Sequence, residues 1–143
     1  MARQSGAPAL RVLLDTHIWI WSHGDSSRIS RRVARILASP DTETWISPIT
    51  FSEMIILSRR GRLTLLPDVQ SWIQSAREAA PFHDAPLTGE VALSAAHITL
   101  PHGDPADWLL AATARAFDLT LITSDRYLLD GKGFLTLANR GEN

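Results

Sequence analysis

Short apolar runs that end in turn-forming or acidic residues alternate along this chain with stretches whose apolar residues recur every three or four positions. Leu10-Arg11-Val12-Leu13-Leu14 has the length and composition of a buried strand and stops at Asp15-Thr16. Ile29, Val33, Ile36 and Leu37 share a helical face, which predicts a helix over 30–37, with Pro40-Asp41 just beyond its end. A second strand is expected over 44–47. Pro48 and Thr50 then open a helix that runs through Ile55, Ile56 and Leu57 to about Arg60, where Gly61 stops it. Leu66-Pro67-Asp68 starts a helix over 69–79, 81–87 is extended, and Thr88-Gly89-Glu90 leads into a helix over 91–97. The turn Gly103-Asp104-Pro105 precedes an Ala- and Leu-rich helix over 106–117. The β-branched run 119–123 predicts a strand that ends in Ser124-Asp125, and a last strand is expected over 134–137. Around Trp19 and Trp21 the apolar positions fit helix and strand equally.

Strands alternating with helices imply a three-layer α/β domain whose central, mainly parallel sheet is flanked by helices. A single domain over 10–138 is expected, between flexible tails at 1–9 and 139–143. In open sheets of this kind, sites lie beyond the carboxyl ends of the strands. Two strands here end there in a carboxylate, Asp15 and Asp125.

Composition narrows the chemistry. The 143 residues suit one domain, and 45% hydrophobic with 20% charged residues suits a soluble one. The absence of cysteine excludes disulfides and thiolate zinc sites. No apolar run approaches the ~20 residues that span a bilayer, and the N-terminus lacks the pattern of a signal peptide, so a cytoplasmic protein without membrane association is expected. The formal charge of −1 gives no general attraction to nucleic acid, so any such contact rests on local patches. Arg28, Arg31, Arg32 and Arg35 stand at helical spacing and read as an RNA track, a surface for an acidic partner, or a solvated helix face. All basic residues but Lys132 are arginine. The apolar stretch at Ile55–Leu57 is a candidate dimer surface.

A buried charge without a partner costs several kcal/mol, so Asp15 and Asp125 need hydrogen bonds, a counter-charge or a metal. Each has an ordinary alternative role, capping a neighbouring helix or fixing a turn. Thr50-Phe51-Ser52-Glu53 matches a capping box, and Asp104-Pro105-Ala106-Asp107 places Asp at the N-cap, Pro at N1 and Asp at N3. Helix capping alone does not explain why two helices with acidic openings accompany two strands with acidic ends. A hard cation such as Mg²⁺, held by a few carboxylates and waters, unites the four in phosphodiester chemistry.

These segments resemble a known family. Leu13-Leu14-Asp15-Thr16-His17-Ile18-Trp19 is similar to the opening motif of PIN domains. Ser47–Glu53, His102–Ala114 and Leu119–Asp125 resemble the second, third and fourth motifs in order. The layout is similar to that of VapC-type toxins over 10–137. The resemblance implies an endoribonuclease that depends on Mg²⁺, with Mn²⁺ as the alternative ion. It implies an RNA substrate, a cognate antitoxin, a homodimer, and a hetero-oligomer with the antitoxin. Carried over residue by residue, Asp15, Glu53 and Asp107 match the core acidic set and Asp125 the more variable fourth member. Thr16 and Thr123 match polar neighbours of the site, and Asp104 the capping Asp of the third motif. The chain departs from the pattern at Trp108, where an Arg is usual.

Other readings compete. A catalytically silent PIN-like binding module would keep the fold and bind an acidic or peptide partner. A Mg²⁺-dependent phosphohydrolase of the haloacid-dehalogenase type needs a second Asp where His17 stands. A receiver domain needs an acidic pair near the first strand and a late Lys, and neither is evident.

Overall fold

The computed structural model describes residues 10–140. Its five-stranded sheet has the order β3-β2-β1-β4-β5, every neighbouring pair parallel. The strands are β1 (Leu10–Leu14), β2 (Thr42–Ile46), β3 (His83–Asp84), β4 (Thr120–Thr123) and β5 (Leu135–Ala138). The helices are α1 (Thr16–Ser22), α2 (Arg31–Ala38), α3 (Pro48–Arg59), α4 (Val69–Ala79), α5 (Gly89–Ser94), α6 (Pro105–Ala116) and α7 (Arg126–Leu129). This is the expected three-layer α/β arrangement. Residues 1–9 and 141–143, assigned to tails by sequence, lie outside the described residues.

The alternation of side chains along each strand divides the core in two. Val12 and Leu14 of β1, Ile122 of β4 and Ile46 of β2 pack against Ile18 and Trp19 of α1, Val33 of α2, Met54 of α3 and Ala76 of α4. Leu13 and Leu121 point the other way, onto Val91 of α5 and Leu110, Ala111 and Ala114 of α6. Both faces of β1 are therefore buried, which is why its sequence is nearly all apolar. Trp19 anchors the first layer through edge-on contacts with Trp72 and Phe82, each 5.2 Å between ring centroids.

From β1 the chain builds outward to β2 and β3, then crosses back to place β4 and β5 on the other side. The order reverses between β1 and β4, which makes the crevice above their carboxyl ends the natural binding place in this sheet. Leu13 and Leu14 are in register with Leu121 and Ile122. The Asp15 N–H extends the ladder to the Ile122 carbonyl at 3.1 Å. Asp15 and Asp125 thus leave adjacent strands at the same edge of the sheet.

Three local points that the sequence left open or placed differently have plain causes. The segment of Trp19 and Trp21 is helical, because Asp15 caps it by accepting from the Thr16 N–H. Helix α3 begins at Pro48, with Ser47 as N-cap accepting from the Ile49 N–H, so Thr50 lies inside the helix and no capping box forms at Thr50–Glu53. Asn139, assigned to a C-terminal tail by sequence, is buried and donates to the Arg28 carbonyl and Ser124 Oγ, both at 2.9 Å, while its Oδ1 accepts from the Ser30 N–H at 2.7 Å.

Gly133 has φ of 101°, and a Cβ there would lie 2.1 Å from the His97 carbonyl oxygen. Only glycine allows the chain to pass that turn on its way to β5.

Candidate active site

The four acidic residues singled out in the sequence come from four elements that meet above the β1–β4 junction. Asp15 follows β1, Asp125 follows β4, Glu53 lies in the second turn of α3, and Asp107 lies in the first turn of α6. All four are half-buried.

Two buried threonines tie three of them together. Thr16 donates its backbone N–H to Asp15 Oδ1 at 2.8 Å and its hydroxyl to Glu53 Oε1. Thr123 donates its hydroxyl to Asp15 Oδ2 at 2.6 Å, and Thr123 Oγ1 itself accepts the Asp125 N–H at 3.0 Å. Thr16 is 1% exposed and Thr123 is fully buried, so water does not compete for these bonds. Thr50, which the sequence suggested only as a cap, is also fully buried, with its hydroxyl 3.5 Å from that of Thr16. The i, i+3 spacing of Thr50 and Glu53 on one helix face is the signal that could have identified it.

Capping and site geometry coexist here. Asp15 caps α1, and Asp125 caps α7 by accepting the Tyr127 N–H at 2.8 Å. Asp104 caps α6 through the Ala106 N–H at 3.0 Å and is exposed, away from the threonine links. Asp107 stands at N3 of that helix yet makes no hydrogen bond to its opening. Its nearest partner is His102, with Nε2 3.7 Å from Oδ2. Trp108 turns aside, its Nε1–H donating to the Ala95 carbonyl at 3.0 Å.

The electrostatics show that the carboxylates converge. Burial pushes the Asp107 carboxyl up to about 7, and the charges of Asp104, Asp125, Asp15 and Glu53 add to the rise. Asp15 is also raised, first by burial and then by Glu53 and Asp125, against the lowering effect of its bonds from Thr123 and Thr16. Like charges held together in a half-buried crevice call for a cation.

The donor set is suited to a hard divalent ion: it is all oxygen, and cysteine is absent from the chain. Among the described residues no group of three or more acidic or imidazole side chains is placed to hold a metal ion by itself. An ion that dehydrates reluctantly and keeps several waters, as Mg²⁺ does, matches such a loose arrangement. Among the described residues no helix is long and apolar enough to cross a membrane.

Comparisons with known proteins agree with this fold. The model of the PIN domain family matches residues 12–132. Ribonuclease VapC22 of Mycobacterium tuberculosis is 33% identical over 120 residues, which cover 82% of this chain and 88% of that protein. Among solved structures, the chain is similar to one in VapBC2 from Rickettsia felis bound to a promoter DNA fragment. The TM-score there is 0.65 at 15% identity, covering 90% of this chain and 98% of that one. A chain of DNA-bound VapBC from Salmonella typhimurium gives 0.61 at 15% identity, with the same coverage.

Proposed function

The chain belongs to the PIN domain family, and from that premise we propose that it is a divalent-metal-dependent endoribonuclease acting as the toxin of a toxin–antitoxin pair. The observation that carries the reading is the convergence of Asp15, Glu53, Asp107 and Asp125 at the reversal point of a parallel sheet, the first, second and fourth of them wired by buried threonines. The identity to Ribonuclease VapC22 supports RNA as the substrate.

Asp15, Glu53, Asp107 and Asp125 would hold Mg²⁺, or Mn²⁺ in its place, directly or through water. When bound, the ion supplies positive charge to a phosphate and acidifies a water for attack on phosphorus. The chain's own residues do the positioning. Thr16 and Thr123 lock both oxygens of Asp15 in place, so its carboxylate is oriented before substrate arrives. Asp125 is aimed by the same Thr123 hydroxyl, and Glu53 by Thr16. Asp107, free of hydrogen bonds to its own helix, is pushed up to about 7 by burial and by the neighbouring carboxylates, and takes up a proton near neutral pH.

The antitoxin partner is supported by the VapBC complexes among the fold's relatives. A homodimer is supported by Ile55 and Ile56, which stay 37% and 48% exposed on α3 beside Leu66 at 76%.

The test is Asp15→Asn, purified free of any antitoxin and assayed on RNA with Mg²⁺ and with EDTA. Cleavage is expected to vanish while the circular dichroism spectrum is unchanged. Normal cleavage by this variant sinks the mechanism, and a wild type that neither binds Mg²⁺ nor cuts RNA points to a silent binding module.

A further inference from the structure

One basic segment remains without a role, and the structure gives it a setting. Of the four arginines at helical spacing, Arg31, Arg32 and Arg35 lie exposed on α2, but Arg28 lies outside that helix, in a 3₁₀ turn at Ser26–Arg28. Arg28 is held over the Trp21 ring, 5.4 Å from its centroid. Trp21 in turn meets His17, one helical turn earlier, at 5.5 Å between centroids. His17 is exposed and directly follows Thr16. An aromatic and cationic line therefore runs from the acidic centre along α1 to Arg28.

Beside this line is a groove of about 540 Å³ lined by Trp21, Arg28, Ser30, Ser124, Asn139 and Arg140. Ser124 immediately precedes Asp125. Asn139 bonds to the Arg28 carbonyl, the Ser30 N–H and Ser124 Oγ, so one buried side chain fastens the arginine turn to the strand end that carries Asp125. The groove is thus rigidly attached to the site. Arg28 shares its charge with Asp25 at 3.2 Å, but both side chains are more than half exposed, so a phosphate can compete for the guanidinium.

We propose that this groove is a subsite for the flanking nucleotides of a single-stranded RNA, with Arg28 and Arg140 on its phosphates and Trp21 as a stacking wall. The inference rests on the ribonuclease reading above. Its physical basis is that single strands are held by positive grooves combined with aromatic faces on which bases stack. The overall charge of −1 makes such a local patch necessary for any strand to approach the acidic centre.

The test uses a short, internally quenched single-stranded RNA that the wild-type chain cleaves in Mg²⁺. Arg28→Gln with Arg140→Gln should raise KM about tenfold, leave kcat within about twofold, and flatten the slope of log kcat/KM against log salt by about 1.4, two contacts at roughly 0.7 each. Trp21→Leu keeps apolar bulk against the core and removes the ring, and a further rise in KM of about fivefold or more is expected. Arg59→Gln with Arg60→Gln, at the far end of α3, is the control and should leave KM and the salt slope unchanged. Wild-type kinetics in the groove variants, or an equal loss in the control, overturns the subsite while leaving the ribonuclease reading intact. Groove variants that cut RNA normally but no longer bind the antitoxin show a protein interface and overturn it as well. A wild type that cuts no RNA in Mg²⁺ or Mn²⁺ overturns both.

Discussion

Asp107→Asn should make the metal-free protein more stable at neutral pH while abolishing its Mg²⁺ response. The carboxyl is pushed from 3.8 up to about 7 by burial and by four neighbouring carboxylates, and it accepts no hydrogen bond from its own helix that asparagine would forfeit. A folded-state value above the unfolded one means that the native protein binds the proton more tightly. Stability therefore falls as pH rises from about 4 to about 7, and the full penalty is present above that window. At about 1.4 kcal/mol for each tenfold change in proton affinity, the rise to about 7 sets a ceiling of roughly 4 kcal/mol. Relaxation and counter-ions reduce this, and a gain of about 1–3 kcal/mol at pH 8 is expected. For a chain of this length that amounts to roughly 3–10 °C in Tm. The assay is thermal unfolding of both proteins in EDTA at pH 5 and pH 8, then in Mg²⁺ at pH 8. The difference should shrink at pH 5 to roughly four-tenths of its pH 8 value, because the folded Asp107 is then neutral while the unfolded one is already ionised, and it should reverse in Mg²⁺, which stabilises only the wild type. An Asp107→Asn protein that is less stable at pH 8 in EDTA, or a difference that ignores pH, refutes the reasoning.

Thr123→Val removes the hydroxyl that orients Asp15 and leaves the Asp125 N–H without its acceptor. Cleavage should fall about 10–100-fold, with the Mg²⁺ midpoint moved to higher concentration; an unchanged metal titration would refute the orienting role. Asn139→Ala removes three hydrogen bonds from a buried side chain and leaves the Ser30 N–H and Arg28 carbonyl unpaired. A loss of about 2–3 kcal/mol is expected from urea denaturation, and a loss below about 0.5 kcal/mol would show that water replaces the clasp.

Much of the frame was legible because it depends on local pattern. The runs at Leu10–Leu14 and Thr120–Thr123 are too apolar for anything but a sheet buried on both faces, and the charges that end them stand out for that reason. Glu53 was legible from its motif, while the capping box that offered it an ordinary role does not form. Ser47-Pro48 is the true helix opening, which moves Glu53 from a capping position to the second turn, facing Thr16. Asp107 fits the N3 position foreseen and yet leaves the helix opening to Asp104 alone. What stayed hidden is non-local. The Thr123–Asp15 bond joins residues 108 apart, and the Asn139–Arg28 bond joins residues 111 apart. Neither separation leaves a trace in a window of a few residues. Helix α7 was missed because four residues are too few to show a period.

The position of β4 has a consequence for how the protein is made. Its pairing edge is β1, the first of the described strands in chain order, yet β4 emerges more than a hundred residues after it. Until it arrives, β1 has one open side, and Asp15 lacks the hydroxyl that orients it. A chain cut short before Thr120 carries at most three of the four acids and none of the strand that completes their setting. Premature termination, or a fragment left by proteolysis, therefore yields an incomplete centre rather than a loose cutting one. For the ribonuclease proposed above, competence would thus be acquired late, a safe order of assembly.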